Sequence, residues 1–187
     1  MQGNCGGGEA QTAGSASPGD NRGAATTDRL GTLILGLGNI LLSDEGVGVR
    51  AVEALVEQVQ LPPDVEVLDG GTSGMDLLDQ IAGRVHLIVV DAVKTGRPPA
   101  SVVRLAGDDV PAFFSSRISP HQLGLSDVLA ALRLMDMAPE TVTVIGVEPV
   151  CLDLSLELSP AVAARLPEVI ALIGDEIAAV AAPKDHG

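Results

Sequence analysis

The feature that most constrains the fold is the apolar run VHLIVVDAV at positions 85–93. A strand with one side in water alternates apolar and polar residues, whereas this run is apolar almost throughout. It therefore predicts a strand that is buried on both faces. Such strands are typical of parallel sheets covered by helices on both sides.

Segments with strand and helix periodicities alternate on both sides of this run. The other predicted strands are 33–37, 65–69, 101–105 and 141–147. The predicted helices are 46–60, 75–82 and 125–135, followed by a last helix that Ser159 caps and that Pro167 kinks or restarts. Strands that alternate with helices predict the α/β class with a mostly parallel sheet, because parallel strands need crossover connections.

The two ends of the chain differ in composition from the part between them. Residues 1–28 consist mainly of glycine, alanine, serine and threonine, which cannot bury enough apolar surface to offset the entropy of ordering. They are predicted to form a disordered leader. Residues 29–182 are predicted to form one domain, which suits a chain of 187 residues, and the polar residues 183–187 a flexible tail.

Charge and cysteine content narrow the possible partners and the compartment. The 25 acidic and 11 basic residues give a net charge of −14, which repels phosphate backbones and argues against a nucleic-acid partner. The sequence has no apolar stretch of membrane-spanning length and no secretory signal pattern, so we expect no membrane partner. Cys5 and Cys151 form neither a disulfide framework nor a zinc-binding spacing. These features predict a cytoplasmic protein.

Three side chains that can bind a metal follow apolar segments or precede a helix. Glu45 follows the first strand, Asp91 ends the buried strand, and His121 lies in a loop before a helix. In an open α/β sheet ligands bind at the carboxyl ends of the strands, so we expect the three side chains to gather there. Two carboxylates and an imidazole suit a divalent ion such as nickel, cobalt or zinc. The spacing predicts a metal site without identifying the metal.

Structural roles compete with this interpretation at each position. Asp44 and Glu45 precede a helix, where acidic groups commonly cap the helix or oppose its dipole. Asp91 needs a hydrogen bond, a cation or a metal, so a functional and a structural role are equally open there. His121 beside a proline is typical of a loop or a helix cap, and Asp69 before two glycines is typical of a turn.

Four longer motifs occur in order along the chain: GLGNILLSDEGVGVRAVEAL at 36–55, VEVLDGGTSGMDLL at 65–78, HLIVVDAV at 86–93 and SPHQLGLSDVLAALRL at 119–134. In sequence and order they resemble the hydrogenase maturation proteases, particularly those that serve uptake-type nickel–iron (NiFe) hydrogenases. The resemblance runs from about Thr32 to Ile173. It implies a three-layer α/β/α sandwich around a twisted five-stranded, mostly parallel sheet.

In the family that the chain resembles, Glu45, Asp91 and His121 match the positions that contact nickel. The resemblance implies an endopeptidase that recognises nickel in the precursor of a hydrogenase large subunit and removes the C-terminal extension of that precursor. Nickel is then supplied by the substrate, and no organic cofactor is expected. The motifs do not assign the group that activates water, and Asp69 is our candidate base. We expect a monomeric enzyme of the aspartic-type or metal-associated peptidases.

Two other functions fit parts of the sequence. A peptidyl-tRNA hydrolase also opens its sheet on Gly-Leu-Gly-Asn, but ILLSDE at 40–45 departs from the motif that follows in that family. A nickel chaperone without enzyme activity would use the same three ligands but more often carries a histidine-rich tract, and this chain has three histidines. A dinucleotide fingerprint fails because Leu41 occupies its third glycine position, and no Gly-x-Ser-x-Gly nucleophile elbow occurs.

Overall fold

The computed structural model describes residues 30–107, 109–110 and 120–181. The predicted leader 1–28 and tail 183–187 lie outside the described residues. The strands are β1 (Leu30–Leu37), β2 (Val65–Gly71), β3 (Arg84–Ala92), β4 (Val102–Ala106) and β5 (Thr141–Val147). The helices include α1 (Val47–Gln58), α2 (Leu78–Ile81), α3 (Pro120–Leu134), α4 (Pro160–Ala163) and α5 (Leu166–Ala181), and short 3-10 helices occupy Ser43–Gly46 and Met75–Leu77.

The five strands form one sheet in the order β2-β1-β3-β5-β4. Strands β1, β2, β3 and β5 pair in parallel, and β4 pairs antiparallel to β5 at one edge. The apolar run at 85–93 lies in β3, the central strand, which explains why it is apolar on both faces. The predicted mostly parallel sheet is therefore confirmed.

Each face of the sheet is covered by its own apolar layer. On one face Val89 belongs to a buried cluster with Val128 of α3. On the other face Ile88 belongs to a cluster with Val52 of α1 and Ile173 of α5. The two clusters confirm the predicted three-layer α/β/α arrangement. Within the described ranges, no helix is long and apolar enough to cross a membrane.

The last two helices follow the signals in the sequence. The Ser159 side chain accepts a hydrogen bond from the Val162 N–H, and Pro160 takes the first position of α4, where a missing N–H does no harm. The chain leaves the helical hydrogen-bond pattern after Ala163 and starts α5 at Leu166, so Pro167 lies in the first turn of a new helix. The predicted restart is confirmed.

A buried polar cluster lies under α5. The Thr143 hydroxyl donates to Glu176 at 3.1 Å and contacts Nε2 of His86 at 3.1 Å, and Glu176 also pairs with Arg104. Because the Thr143 hydrogen points to Glu176, its oxygen accepts from His86, which therefore carries its proton on Nε2. Nδ1 of His86 has no hydrogen-bond partner among the described residues. Burial lowers the pKa of His86, although the charge of Glu176 opposes this effect.

Acidification is expected to destabilise the fold through His86. Its folded-state pKa lies below the unfolded value of about 6.5, so this contribution to stability is full above that value and is lost as the pH falls below it. We expect the free energy of unfolding in urea to fall between about pH 7.5 and about pH 5.5. It should fall less in His86→Gln, which keeps a donor for Thr143 but does not titrate. An equal fall in both proteins would show that His86 does not contribute.

Candidate active site

The carboxyl ends of β1, β2, β3 and β5 lie at one edge of the sheet because these strands are parallel. We call this edge, with the loops that leave it, the rim. Three predicted site residues, Glu45, Asp69 and Asp91, lie on the rim. The backbone of His121 lies in the first turn of α3, and its side chain lies outside the described part of the structure.

The described side chains do not by themselves complete a metal site. Among them, no group of three or more histidines, cysteines, aspartates or glutamates could hold a metal ion. The predicted third ligand, His121, does not belong to the described side chains. The set of Glu45, Asp91 and His121 therefore stays a prediction, and what the structure contributes is the position of each residue in the fold.

Asp91 is the penultimate residue of β3 and is only 2% exposed. It lies opposite Gly146 of β5. Side chains alternate along a strand, so Asp91 lies on the same face as Val89 and Val93, which belong to the cluster that includes α3 residues. The carboxylate and the helix that carries His121 therefore lie on the same side of the sheet.

Helix α3 begins beside the rim. Gly124 packs so closely on Gly74 that a Cβ built on Gly124 would stand 2.8 Å from the Gly74 Cα. Gly74 follows the end of β2 by three residues. Gly124 follows His121 by three residues, so this contact places the N-terminal part of α3, with the backbone of His121, next to the loop that follows β2, the strand that carries Asp69.

Glu45 is half-buried in the 3-10 helix between β1 and α1. Two glycines let this segment pack directly on the strand ends. Gly38 has a φ of 123°, and a Cβ there would stand 1.7 Å from the Glu45 carbonyl oxygen. A Cβ on Gly48 would stand 2.1 and 2.3 Å from carbonyl oxygens at the ends of β3 and β1. The absence of a side chain at Gly38 and Gly48 therefore allows this close approach.

Asp44, next to Glu45, is fully buried and binds a distant loop. Its carboxylate accepts hydrogen bonds from the N–H groups of Val150, Cys151 and Ser159 at 2.9, 2.9 and 2.7 Å, and from the Ser159 hydroxyl at 2.9 Å. Of the two structural roles that the sequence left open, helix capping is wrong, since neither its own 3-10 helix nor α1 has a side-chain cap bond. Asp44 is structural because it ties the start of α1 to residues 150–159.

Asp69 is exposed, and its Oδ1 accepts a hydrogen bond from the Gly71 N–H at 2.9 Å. This is an Asx turn, and Gly71 has a φ of 49°, which favours glycine. The predicted turn role of Asp69 is confirmed. The Gly71 carbonyl accepts from the Gly38 N–H at 2.8 Å, which joins this turn to the segment that leads to Glu45.

Exposed apolar side chains border the Glu45 segment. We call them the apolar rim patch: Ile40, Leu41, Val150, Leu152, Leu154 and Leu156. Backbone hydrogen bonds of 3.0 and 2.9 Å join Ser155 to Leu41 and Ser43, so the two loops form one surface. Apolar residues alternate over 150–158, a signal that our reading of the sequence missed. In the structure this segment is an irregular loop, and its exposed leucines are typical of a protein-binding surface.

Comparison with known proteins identifies the family. The family model of the hydrogenase maturation proteases matches residues 49–176. The chain is 50% identical over 135 residues to the hydrogenase 2 maturation protease of Escherichia coli, covering 72% of this chain and 82% of that protein. It is 46% identical over 141 residues to the hydrogenase expression/formation protein HupD of Rhodobacter capsulatus, covering 74% of this chain and 67% of that one.

Solved structures show the same fold. The hydrogenase maturating endopeptidase HybD of Escherichia coli matches with a TM-score of 0.77 and 45% identity, over 80% of this chain and 93% of that chain. The NiFe hydrogenase maturation protease HybD of Thermococcus kodakarensis matches with a TM-score of 0.66 and 28% identity, over 78% and 98%. On the family model, the sequence identities and the shared fold, this chain belongs to the hydrogenase maturation protease family.

Proposed function

We propose that this chain is an endopeptidase that removes the C-terminal extension from the nickel-containing precursor of a NiFe hydrogenase large subunit. Family membership supports the activity and the class of substrate, and it favours them over a peptidyl-tRNA hydrolase or a nickel chaperone. The observation that carries the proposal for the site is the buried carboxylate of Asp91 at the end of the central strand. It shares the rim with Glu45 and the first turn of α3.

The ion at the rim is nickel that the precursor carries. Carboxylate oxygens of Glu45 and Asp91 and a ring nitrogen of His121 form a mixed donor set that suits nickel. With three ligands from the protease, the nickel ion keeps further coordination positions for ligands from the precursor. Contact with the ion holds the scissile segment at the rim and makes cleavage depend on prior nickel insertion.

Peptide hydrolysis needs a base for the attacking water and a proton for the leaving nitrogen. Asp69 is exposed on the rim, and its bond to Gly71 orients its carboxylate. We assign Asp69 as the base. It takes a proton from water as the oxygen bonds to the carbonyl carbon, and the proton goes to the amide nitrogen as the C–N bond breaks. The enzyme is then an aspartic-type peptidase.

Replacing Asp69 with asparagine is expected to lower kcat by about 100-fold or more and to leave KM for the precursor nearly unchanged. The amide oxygen still accepts the bond from Gly71, so the turn persists, but the amide cannot take a proton. Initial rates of precursor cleavage at several precursor concentrations separate the two constants. Asp76→Asn, at an exposed carboxylate near the same loop, is the matched control. A normal kcat in Asp69→Asn would remove Asp69 from catalysis.

The apolar rim patch is proposed to contact the precursor, because a protein that reaches Glu45 must cover the loop that is hydrogen-bonded to its segment. We expect Leu154→Ser to raise KM about tenfold, which corresponds to ~1.4 kcal/mol of lost contact. Leu154 is 83% exposed, so its replacement should leave stability unchanged. Leu134→Ser is the matched control, since Leu134 is 90% exposed at the far end of α3. Equal KM values in the two variants would exclude this contact.

The activity itself is tested by incubating the purified chain with nickel-loaded precursor and measuring intact masses. Two products, a shortened large subunit and one C-terminal peptide, are expected, and their masses give the cut site. Tight nickel binding without cleavage would contradict the peptidase function.

We also propose that the enzyme is a cytoplasmic monomer. The free thiol of Cys151 is compatible with a reducing cytoplasm. Light scattering on the purified chain tests the monomer.

A further inference from the structure

The 150–159 loop holds the segment that carries Glu45 through several hydrogen bonds besides those of the Asp44 carboxylate. The Ser43 N–H donates to the Ser155 carbonyl at 2.9 Å, and the Ser43 hydroxyl donates to the Glu157 carbonyl at 2.9 Å. The Asp44 N–H donates to the Cys151 carbonyl at 3.2 Å. Ser43 has a φ of 50°, an unfavourable conformation for serine, so these bonds hold the turn in a conformation that it would not adopt alone.

The Asp44 carboxylate is the centre of this contact. Oδ1 accepts from the Ser159 N–H, and Oδ2 accepts from the Val150 N–H, the Cys151 N–H and the Ser159 hydroxyl. All four partners act as donors. An amide in the same place would direct its own N–H at a backbone donor in either orientation, so a carboxylate is required.

The position of Glu45 depends on this contact. The 3-10 helix that carries Glu45 has only four residues, and so short a helix has few hydrogen bonds of its own to fix it. On one side, the packing of Gly38 and Gly48 on the strand ends fixes the position of this helix. On the other side, Asp44 fixes it, because the Asp44 side chain points into the protein beside the 150–159 loop.

We propose that Asp44 is a positioning residue for the hydrolysis: it holds the Glu45 carboxylate and the apolar rim patch in one fixed arrangement, so that precursor and nickel are bound together. The inference rests on the proposed function, since it assigns to Glu45 the recognition of nickel in the precursor. Asp44 itself contacts neither substrate nor ion.

The test compares how strongly nickel improves binding of the precursor. KM is measured for nickel-loaded precursor, and Ki for nickel-free precursor as a competitor in the same assay. The ratio of Ki to KM reports how much nickel strengthens the binding of the precursor to the enzyme. If less of the enzyme is folded, the maximal rate falls, but KM and Ki stay the same. If the apolar rim patch loses its contact with the precursor, KM and Ki rise by the same factor. A merely structural role for Asp44 therefore leaves the ratio unchanged.

Asp44→Asn is expected to lower this ratio about fivefold or more, because Glu45 is displaced from the ion. Asp153→Asn, at an exposed carboxylate of the same loop, is the matched control and should keep the wild-type ratio. Should Asp44→Asn fail to fold, Ser159→Ala removes one of the four bonds to Asp44, together with the cap bond of α4, and should lower the ratio about twofold. Wild-type ratios in the folded variants would overturn the role of Asp44 alone. A wild-type enzyme with a ratio near one would overturn nickel recognition as well.

Discussion

Replacement of Asp91 by asparagine is expected to reduce kcat/KM for nickel-loaded precursor by about 100-fold or more. Asp91 is buried at the end of β3 and is proposed to contact the nickel ion. A neutral amide is a much weaker ligand for a divalent ion than a carboxylate. Asparagine has nearly the same shape as aspartate, so the packing near Val89 and Val93 should be preserved. The loss should therefore be one of recognition and catalysis rather than of the fold.

Asp79→Asn, at an exposed carboxylate of α2, provides the matched control for this experiment. Circular dichroism and thermal unfolding establish that both variants are folded. Cleavage rates are then compared at equal concentrations of folded protein. A folded Asp91→Asn enzyme that cuts at the wild-type rate would contradict a role for Asp91 in contacting nickel.

The largest effect on stability is expected for Gly48→Ala. A Cβ at this position would stand 2.1 Å from the Val90 carbonyl oxygen and 2.3 Å from the Leu37 carbonyl oxygen. Backbone atoms of a central sheet cannot move aside as a flexible side chain can, so α1 must shift away from the strands. We expect a loss of more than about 3 kcal/mol in the free energy of unfolding. The same shift would displace Glu45, which lies two residues before the start of α1.

Gly174→Ala is the matched control, because among the described residues nothing outside the helix's own backbone lies within 4 Å of a Cβ built on Gly174 in α5. This substitution should stabilise the protein by up to about 1 kcal/mol through helix propensity. Urea unfolding at neutral pH measures both changes. Equal stabilities of the two variants would show that the close approach of Gly48 does not constrain the fold.

The layers of this fold could be predicted from the sequence, because the apolar pattern of each strand or helix lies within a few neighbouring residues. A strand that is buried on both faces must be apolar throughout, so VHLIVVDAV identified the central strand β3. Ser159 and Pro167 act within one turn of their own helices, and both effects appear in the structure. Helix α3 begins at Pro120, five residues before the predicted start, because the apolar pattern defined only the part that packs on the sheet.

The contacts that hold the rim together could not be predicted in the same way. Asp44 binds partners that lie 106 to 115 positions away, and no local pattern connects residues at that separation. Its position before a helix indicated a cap, and the local signal was misleading. The rule that ligand-binding groups gather at the carboxyl ends of parallel strands pointed to Glu45 and Asp91, and both residues lie on the rim. The roles of Glu45, Asp91 and His121 toward nickel stay predictions.

The proposed function is tested most directly by comparing two forms of the same precursor. One preparation of enzyme is incubated with nickel-loaded and with nickel-free large-subunit precursor, and intact masses are recorded over time. We expect the nickel-loaded precursor to be converted to a shortened subunit and a C-terminal peptide, and the nickel-free precursor to stay intact. Cleavage of both forms at equal rates would contradict recognition of nickel at the rim.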